Sequence, residues 1–81
     1  MRVCVRAFAR LREILCASER SVDVPDGARI EDLWALLCQE NAALGRERNS
    51  TRAARNGRLA AFDERLCDGD DVAFLPPVSG G

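Results

Sequence analysis

The feature that most constrains this chain is a hydrophobic period that switches back and forth within 81 residues. Arg2-Val3-Cys4-Val5-Arg6-Ala7-Phe8 alternates with period two, as a half-buried strand does. Val3, Val5 and Ala7 point one way, and Arg2, Cys4, Arg6 and Phe8 the other. Over residues 9–17 the period lengthens, with Leu11, Ile14 and Leu15 at helical spacing, which predicts a short helix with one apolar stripe. Ser21-Val22-Asp23-Val24 alternates again, and Pro25-Asp26-Gly27 closes that strand with turn residues. A longer helix is expected from about Ile30, placing Ile30, Leu33, Trp34, Leu37, Asn41 and Leu44 on one face and Gly45 just beyond its end. Asp26 is the best capping candidate, and Glu31 and Asp32 suit the positive end of the helix dipole.

The second half reads as strands. Residues 45–52 are polar and predict a loop, and residues 51–55 a weak strand. Asn56-Gly57 is a type I′ hairpin signal because both residues accept positive φ. Residues 58–62 return as the partner strand, Asp68-Gly69-Asp70 turns the chain, and Val72-Ala73-Phe74-Leu75 is a final apolar strand. The order β-α-β-α-β-β-β describes an α+β domain over residues 1–75, a mixed sheet of about five strands covered by the second helix. Residues 76–81 form an extended tail outside it.

A chain this short buries only about 60–65% of the surface its unfolded form exposes, so its core is thin. The apolar fraction is 47%, but 12 of those residues are Ala and 4 are Cys, leaving 22 bulky ones for a single layer packed on another. Phe8 is then an oddity, a large apolar side chain on a strand face that otherwise carries charge.

Charge and residue types exclude several chemistries. Twelve basic residues against thirteen acidic give a net charge of −1, so a nucleic-acid footprint is not expected. Every basic residue is Arg; with no Lys, His or Tyr, the chain offers no side-chain Schiff base, imidazole catalysis or His metal ligation. Cys4, Cys16, Cys38 and Cys67 contain no CxxC pair, which disfavours a zinc site. No secretory signal or membrane-length apolar run is read, so a reduced, cytoplasmic protein with inert cysteines is expected. No catalytic side chains and no metal ligands are predicted.

Charge is also uneven. Residues 62–75 hold five acidic residues and one Arg, whereas residues 45–58 hold five Arg and one Glu, an asymmetry able to steer a partner.

The last residues carry the remaining signal. Pro76 and Pro77 stiffen the exit from the final strand, Val78 and Ser79 follow, and Gly80-Gly81 end the chain without side chains. A glycine carboxylate can be threaded down a channel too narrow for any Cβ, and adenylation would make it an electrophile open to sulfur.

Asn56-Gly57, Leu66 and the run from Asp68-Gly69-Asp70 through Val72-Ala73-Phe74-Leu75 to Pro76-Pro77-Val78-Ser79-Gly80-Gly81 resemble the small subunits of molybdopterin synthase. Phe8-Ala9-Arg10-Leu11-Arg12-Glu13 is similar to that family's opening strand-helix, so the resemblance spans essentially the whole chain. It implies a ubiquitin-like β-grasp fold and a sulfur carrier with no permanently bound cofactor. An E1-like enzyme would adenylate the Gly81 carboxylate with ATP, and a sulfur donor would convert it to a thiocarboxylate. The tail, Pro76 to Gly81, would enter the large subunit of molybdopterin synthase, where the sulfur passes to cyclic pyranopterin monophosphate to build the dithiolene. Docking would use Phe8, Leu59 and Leu75, although Leu59 and Leu75 also fit a core role.

Two positions depart from that family's pattern. Arg55 stands where an apolar residue is usual, which puts the sidedness of its strand in question, and Arg29 stands where a better helix cap is usual. Other readings share the tail chemistry: a ubiquitin-like protein modifier, or a sulfur carrier for thiamin or tRNA thiolation. A β-grasp interaction module with an incidental tail is a third class. Without lysine, the chain offers no side chain for isopeptide chains of its own.

Overall fold

The computed structural model describes residues 1–76; the tail residues Pro77, Val78, Ser79, Gly80 and Gly81 lie outside the described residues. Five strands form one sheet: β1 Arg2–Ala7, β2 Glu19–Asp23, β3 Arg52–Arg55, β4 Arg58–Ala60 and β5 Asp71–Leu75. Their order is β2-β1-β5-β3-β4, with β1 parallel to β5 and the other neighbours antiparallel. Two α-helices, α1 Ala9–Leu15 and α2 Ile30–Glu40, are followed by a 3₁₀ segment, Ala42–Ser50. The element order and the mixed sheet match the expectation from period switching.

The core lies on one face of the sheet. Val3, Val5 and Ala7 of β1 and Val72 and Phe74 of β5 are buried against Ile30, Leu33, Trp34 and Leu37 of α2. Trp34 meets Phe74 edge-on, with ring centroids 5.0 Å apart, and Phe62 closes the aromatic group at 6.0 Å from each. For a domain with so few bulky residues, that trio supplies much of the packed volume.

Both helices end earlier than the sequence reading, one through a local backbone turn and the other through a distant contact. α1 stops at Leu15 rather than residue 17, because Cys16 adopts a left-handed conformation (φ 58°) as its cap. α2 ends at Glu40 instead of running on to Leu44: Asn41 is extended (φ −148°), and its side-chain amide donates to the carbonyl of Ile14. Leu44 is nevertheless fully buried, delivered to the core by the 3₁₀ segment that occupies most of the expected loop. Gly45 lies inside that segment and caps nothing.

Asp26 does not cap α2. The N-cap is Arg29, whose N–H donates to Asp32 Oδ2 at 2.8 Å. The first-turn N–H groups of Ile30 and Glu31 donate to the carbonyls of Glu64 (3.0 Å) and Phe62 (2.7 Å). A neighbouring backbone segment therefore does what a capping side chain normally does. Asp26 instead sits in the exposed turn, 3.5 Å from the N-terminal ammonium. The Asn56-Gly57 turn is as expected, with φ of 51° and 85°.

Candidate functional site

The sheet has one covered face and one open face, and the register decides what the open face carries. Arg6, Ala73, Ala54 and Leu59 are successive partners across β1, β5, β3 and β4 and so share one side. Val5, Val72 and Arg55 form the next row and point to the helix side. In the other direction, two positions along from Ala73 and Ala54 and so on the open side again, Leu75 lies opposite Arg52, with Phe8 following Ala7 beside it.

Charge divides that open face. On its β2–β1 half, cations are neutralised in place: Arg2 pairs with Asp23 at 2.9 Å, and Arg6 with Asp71 at 2.9 Å and with Glu19 at 3.8 Å. On the β5–β3–β4 half, the row of Ala73, Ala54 and Leu59 is apolar. Phe8 is 45% and Leu59 67% exposed, the large apolar residues left in solvent among the described residues, while Leu75 is half-buried. The residues singled out for docking thus share one face, Phe8 and Leu75 at the end of β5 and Leu59 level with Ala73. Pro76, the one tail residue described, is exposed.

The doubt over β3 is resolved by a polar cluster. Arg55 does face the helix side, but at the rim, where Nε donates to Asp70 Oδ2 at 2.6 Å and Nη1 to Glu64 Oε2 at 3.2 Å. Asn56 Nδ2 donates to Asp70 Oδ1 at 2.9 Å, and the Cys67 N–H to Oδ2 at 2.7 Å. The Asn56 Oδ1 in turn accepts from the Asp71 N–H. Burial pushes the Asp70 carboxyl up, but the hydrogen bonds from Arg55, Asn56 and Cys67 outweigh it and hold the group below the usual carboxylate range. The Arg55 guanidinium is held still more firmly protonated, chiefly by Asp70 and Glu64. An arginine at an apolar position is tolerated because this cluster satisfies it.

Among the described residues no group of three or more His, Cys, Asp and Glu is placed to hold a metal ion. All four cysteines are free; Cys16 and Cys67 are exposed, Cys4 and Cys38 half-buried. Burial pushes the thiols of Cys4 and Cys38 up, and the Glu19 carboxylate near Cys4 adds to that shift, so neither is an activated thiolate. No helix of the described residues is long and apolar enough to cross a membrane.

A small mixed sheet wrapped on one helix, with the tail leaving beside an apolar open face, is a ubiquitin-like β-grasp. A ubiquitin-like protein from Caldiarchaeum subterraneum superposes over 99% of the chain with a TM-score of 0.60 at 17% identity, a likeness of fold. Residues 5–81 match the ThiS family, and the chain belongs to it. The molybdopterin synthase sulfur carrier subunit of Escherichia coli is 37% identical, over 91% of this chain and 93% of that one. Small archaeal modifier protein 1 of Haloferax volcanii is 33% identical, over 94% and 97%. Among solved structures, molybdopterin converting factor subunit 1 from Pyrococcus furiosus covers 96% of this chain and 99% of its own, with a TM-score of 0.87 and 32% identity. The complex of subunits 1 and 2 of the molybdopterin-converting factor from Helicobacter pylori contains a chain matched over 100% of both, with a TM-score of 0.70 and 29% identity.

Proposed function

We propose that this protein is a sulfur-carrier subunit of molybdopterin synthase whose working group is the Gly81 carboxylate. An E1-like enzyme would use ATP to form the acyl-adenylate with release of pyrophosphate. A sulfur nucleophile would then displace AMP and leave a thiocarboxylate. The carrier would dock on the large subunit through Phe8, Leu59 and Leu75, with residues 76–81 reaching that subunit's pocket. There cyclic pyranopterin monophosphate would receive the sulfur. Catalytic side chains would belong to the large subunit.

The observations that carry this reading are the likeness to the Escherichia coli sulfur carrier subunit over 91% of this chain and the ThiS family match, which runs to Gly81. The Helicobacter pylori two-subunit complex supports a large-subunit partner, and the absence of an activated nucleophile among the described residues fits a carrier. The likeness to small archaeal modifier protein 1 supports a second reading, in which Gly81 ends in an amide to a target protein.

Intact mass after incubation with ATP, an E1-like activating enzyme and a sulfur donor separates these readings from a plain interaction module. The expected result is a gain equal to exchange of one oxygen for sulfur, absent when Gly81 is deleted. A chain that stays unmodified beside an active enzyme would rule out the carrier.

A further inference from the structure

We propose that a cleft at the open end of the β3–β4 hairpin, flanked by Arg48 and Arg52, takes carboxylates from the surface of a protein partner. The cleft, about 370 Å³, is lined by Thr51, Arg52, Leu59, Ala60 and Phe62. It lies at the strand end opposite the Asn56-Gly57 turn, where Arg52 is the register partner of Leu75, the last residue of β5. The proposal deepens the carrier reading above and rests on it, since it places the contact at the root of the tail.

Charge makes the argument. Of the six arginines on the strands, Arg2, Arg6, Arg20 and Arg55 each lie within ion-pair distance of a carboxylate, and Arg52 and Arg58 have none among the described residues. Arg48 also has none among them. Arg48 stacks on the ring of Phe62 at 3.4 Å, which occupies the face of its guanidinium but leaves its N–H edge. Glu47, the acid nearest them in sequence, is committed to Arg10 at 3.1 Å. Two cations with no carboxylate partner among the described residues thus flank a cleft whose apolar wall includes Leu59, 67% exposed. A planar fork of donors beside an apolar anchor fits a carboxylate-bearing protein segment. A nucleic acid fits poorly, because the chain as a whole carries a net charge of −1.

Association of the full chain with the large subunit of molybdopterin synthase from the same organism, followed against ionic strength, tests this. The wild-type rate should fall with added salt. Arg52→Glu should slow association at low salt by about tenfold or more and flatten that dependence. Arg52→Gln should fall between them, and both variants should keep the wild-type melting curve. Leu59→Ala should instead raise the dissociation rate and leave the salt slope unchanged. If wild type binds and Arg52→Glu matches it in rate and salt slope, the carboxylate contact is wrong. If wild type itself fails to bind that subunit, the carrier reading falls and this contact with it. A salt-sensitive shift with total tRNA that Arg52→Glu abolishes would reassign the cleft to nucleic acid and overturn the proposal.

Discussion

Arg55 and Asp70, 15 residues apart in the chain, meet at 2.6 Å and join the β3–β4 hairpin to the turn that launches β5. Asp70 is 6% exposed and accepts from Arg55, Asn56 and the Cys67 N–H together. Removing its carboxylate strands three donors at once. Asp70→Ala should therefore cost about 2–4 kcal/mol of stability in urea denaturation. Arg55→Ala leaves Asp70 with two donors and should cost less.

The same carboxylate sets an acid limit. Its folded value lies below the ordinary 3.8, so the folded state binds fewer protons than the unfolded one as pH falls past that point. The stabilisation is fully present above the ordinary value and is lost as pH drops through the depressed one. Asp70→Asn, which cannot titrate, should show a shallower loss of stability below pH 3.8 than wild type, read from denaturation midpoints at successive pH values.

Much of this fold is legible in the sequence, and distant contacts account for both misread ends of α2. Alternation assigns Val3, Val5 and Ala7 to the core and leaves Phe8 outside, and Asn56-Gly57 announces its turn. The end of α2 is not legible, because helical spacing persists through Leu44 while the chain leaves the helix at Asn41 to bond Ile14, 27 residues earlier. The start of α2 misleads for the same reason, since its N–H groups are satisfied by carbonyls more than thirty residues away. Leu59 is ambiguous in sequence because a three-residue edge strand is too short to show a period. The cleft beside Arg52 is hidden because residues 45–52 read as solvated loop, and only the register with Leu75 brings them to the tail's root.

Gly57 is the position where the hairpin depends on backbone freedom. At φ 85° an added Cβ meets no neighbour, so the cost of Gly57→Val is conformational rather than steric crowding from the fold. A loss of about 1–2 kcal/mol is expected in the same denaturation assay.

Exposed and buried apolar positions should separate cleanly by readout. Leu59→Ala and Phe8→Ala remove side chains that contact solvent and should change stability by less than about 0.5 kcal/mol. Each should weaken binding to the large subunit by about 1–2 kcal/mol, measured calorimetrically. Phe74→Ala, at a fully buried position, should do the reverse and cost about 3–5 kcal/mol of folding free energy.

The four thiols should react in an order set by exposure. Iodoacetamide at mildly alkaline pH should label Cys16 and Cys67 first, as both are exposed. Cys38 should follow slowly because burial disfavours its thiolate, and Cys4 likewise through burial and then Glu19. Peptide mapping over time reads the order directly. Early labelling of Cys4 would mean that the β1–β2 edge opens.

The tail makes the sharpest demand on partner geometry. An interaction module would tolerate one alanine added after Gly81, because the docking face proposed for Phe8, Leu59 and Leu75 is untouched. A carrier would not: the added Cβ and the displaced carboxylate would both prevent a terminal glycine from reaching the adenylating centre. The extended chain should therefore keep its melting curve and its binding to the large subunit to within a few fold, yet accept no sulfur in the mass assay. Binding and sulfur loading measured on the same sample divide the two roles. Unimpaired loading of the extended chain would show that the tail's terminus is not the group that carries sulfur.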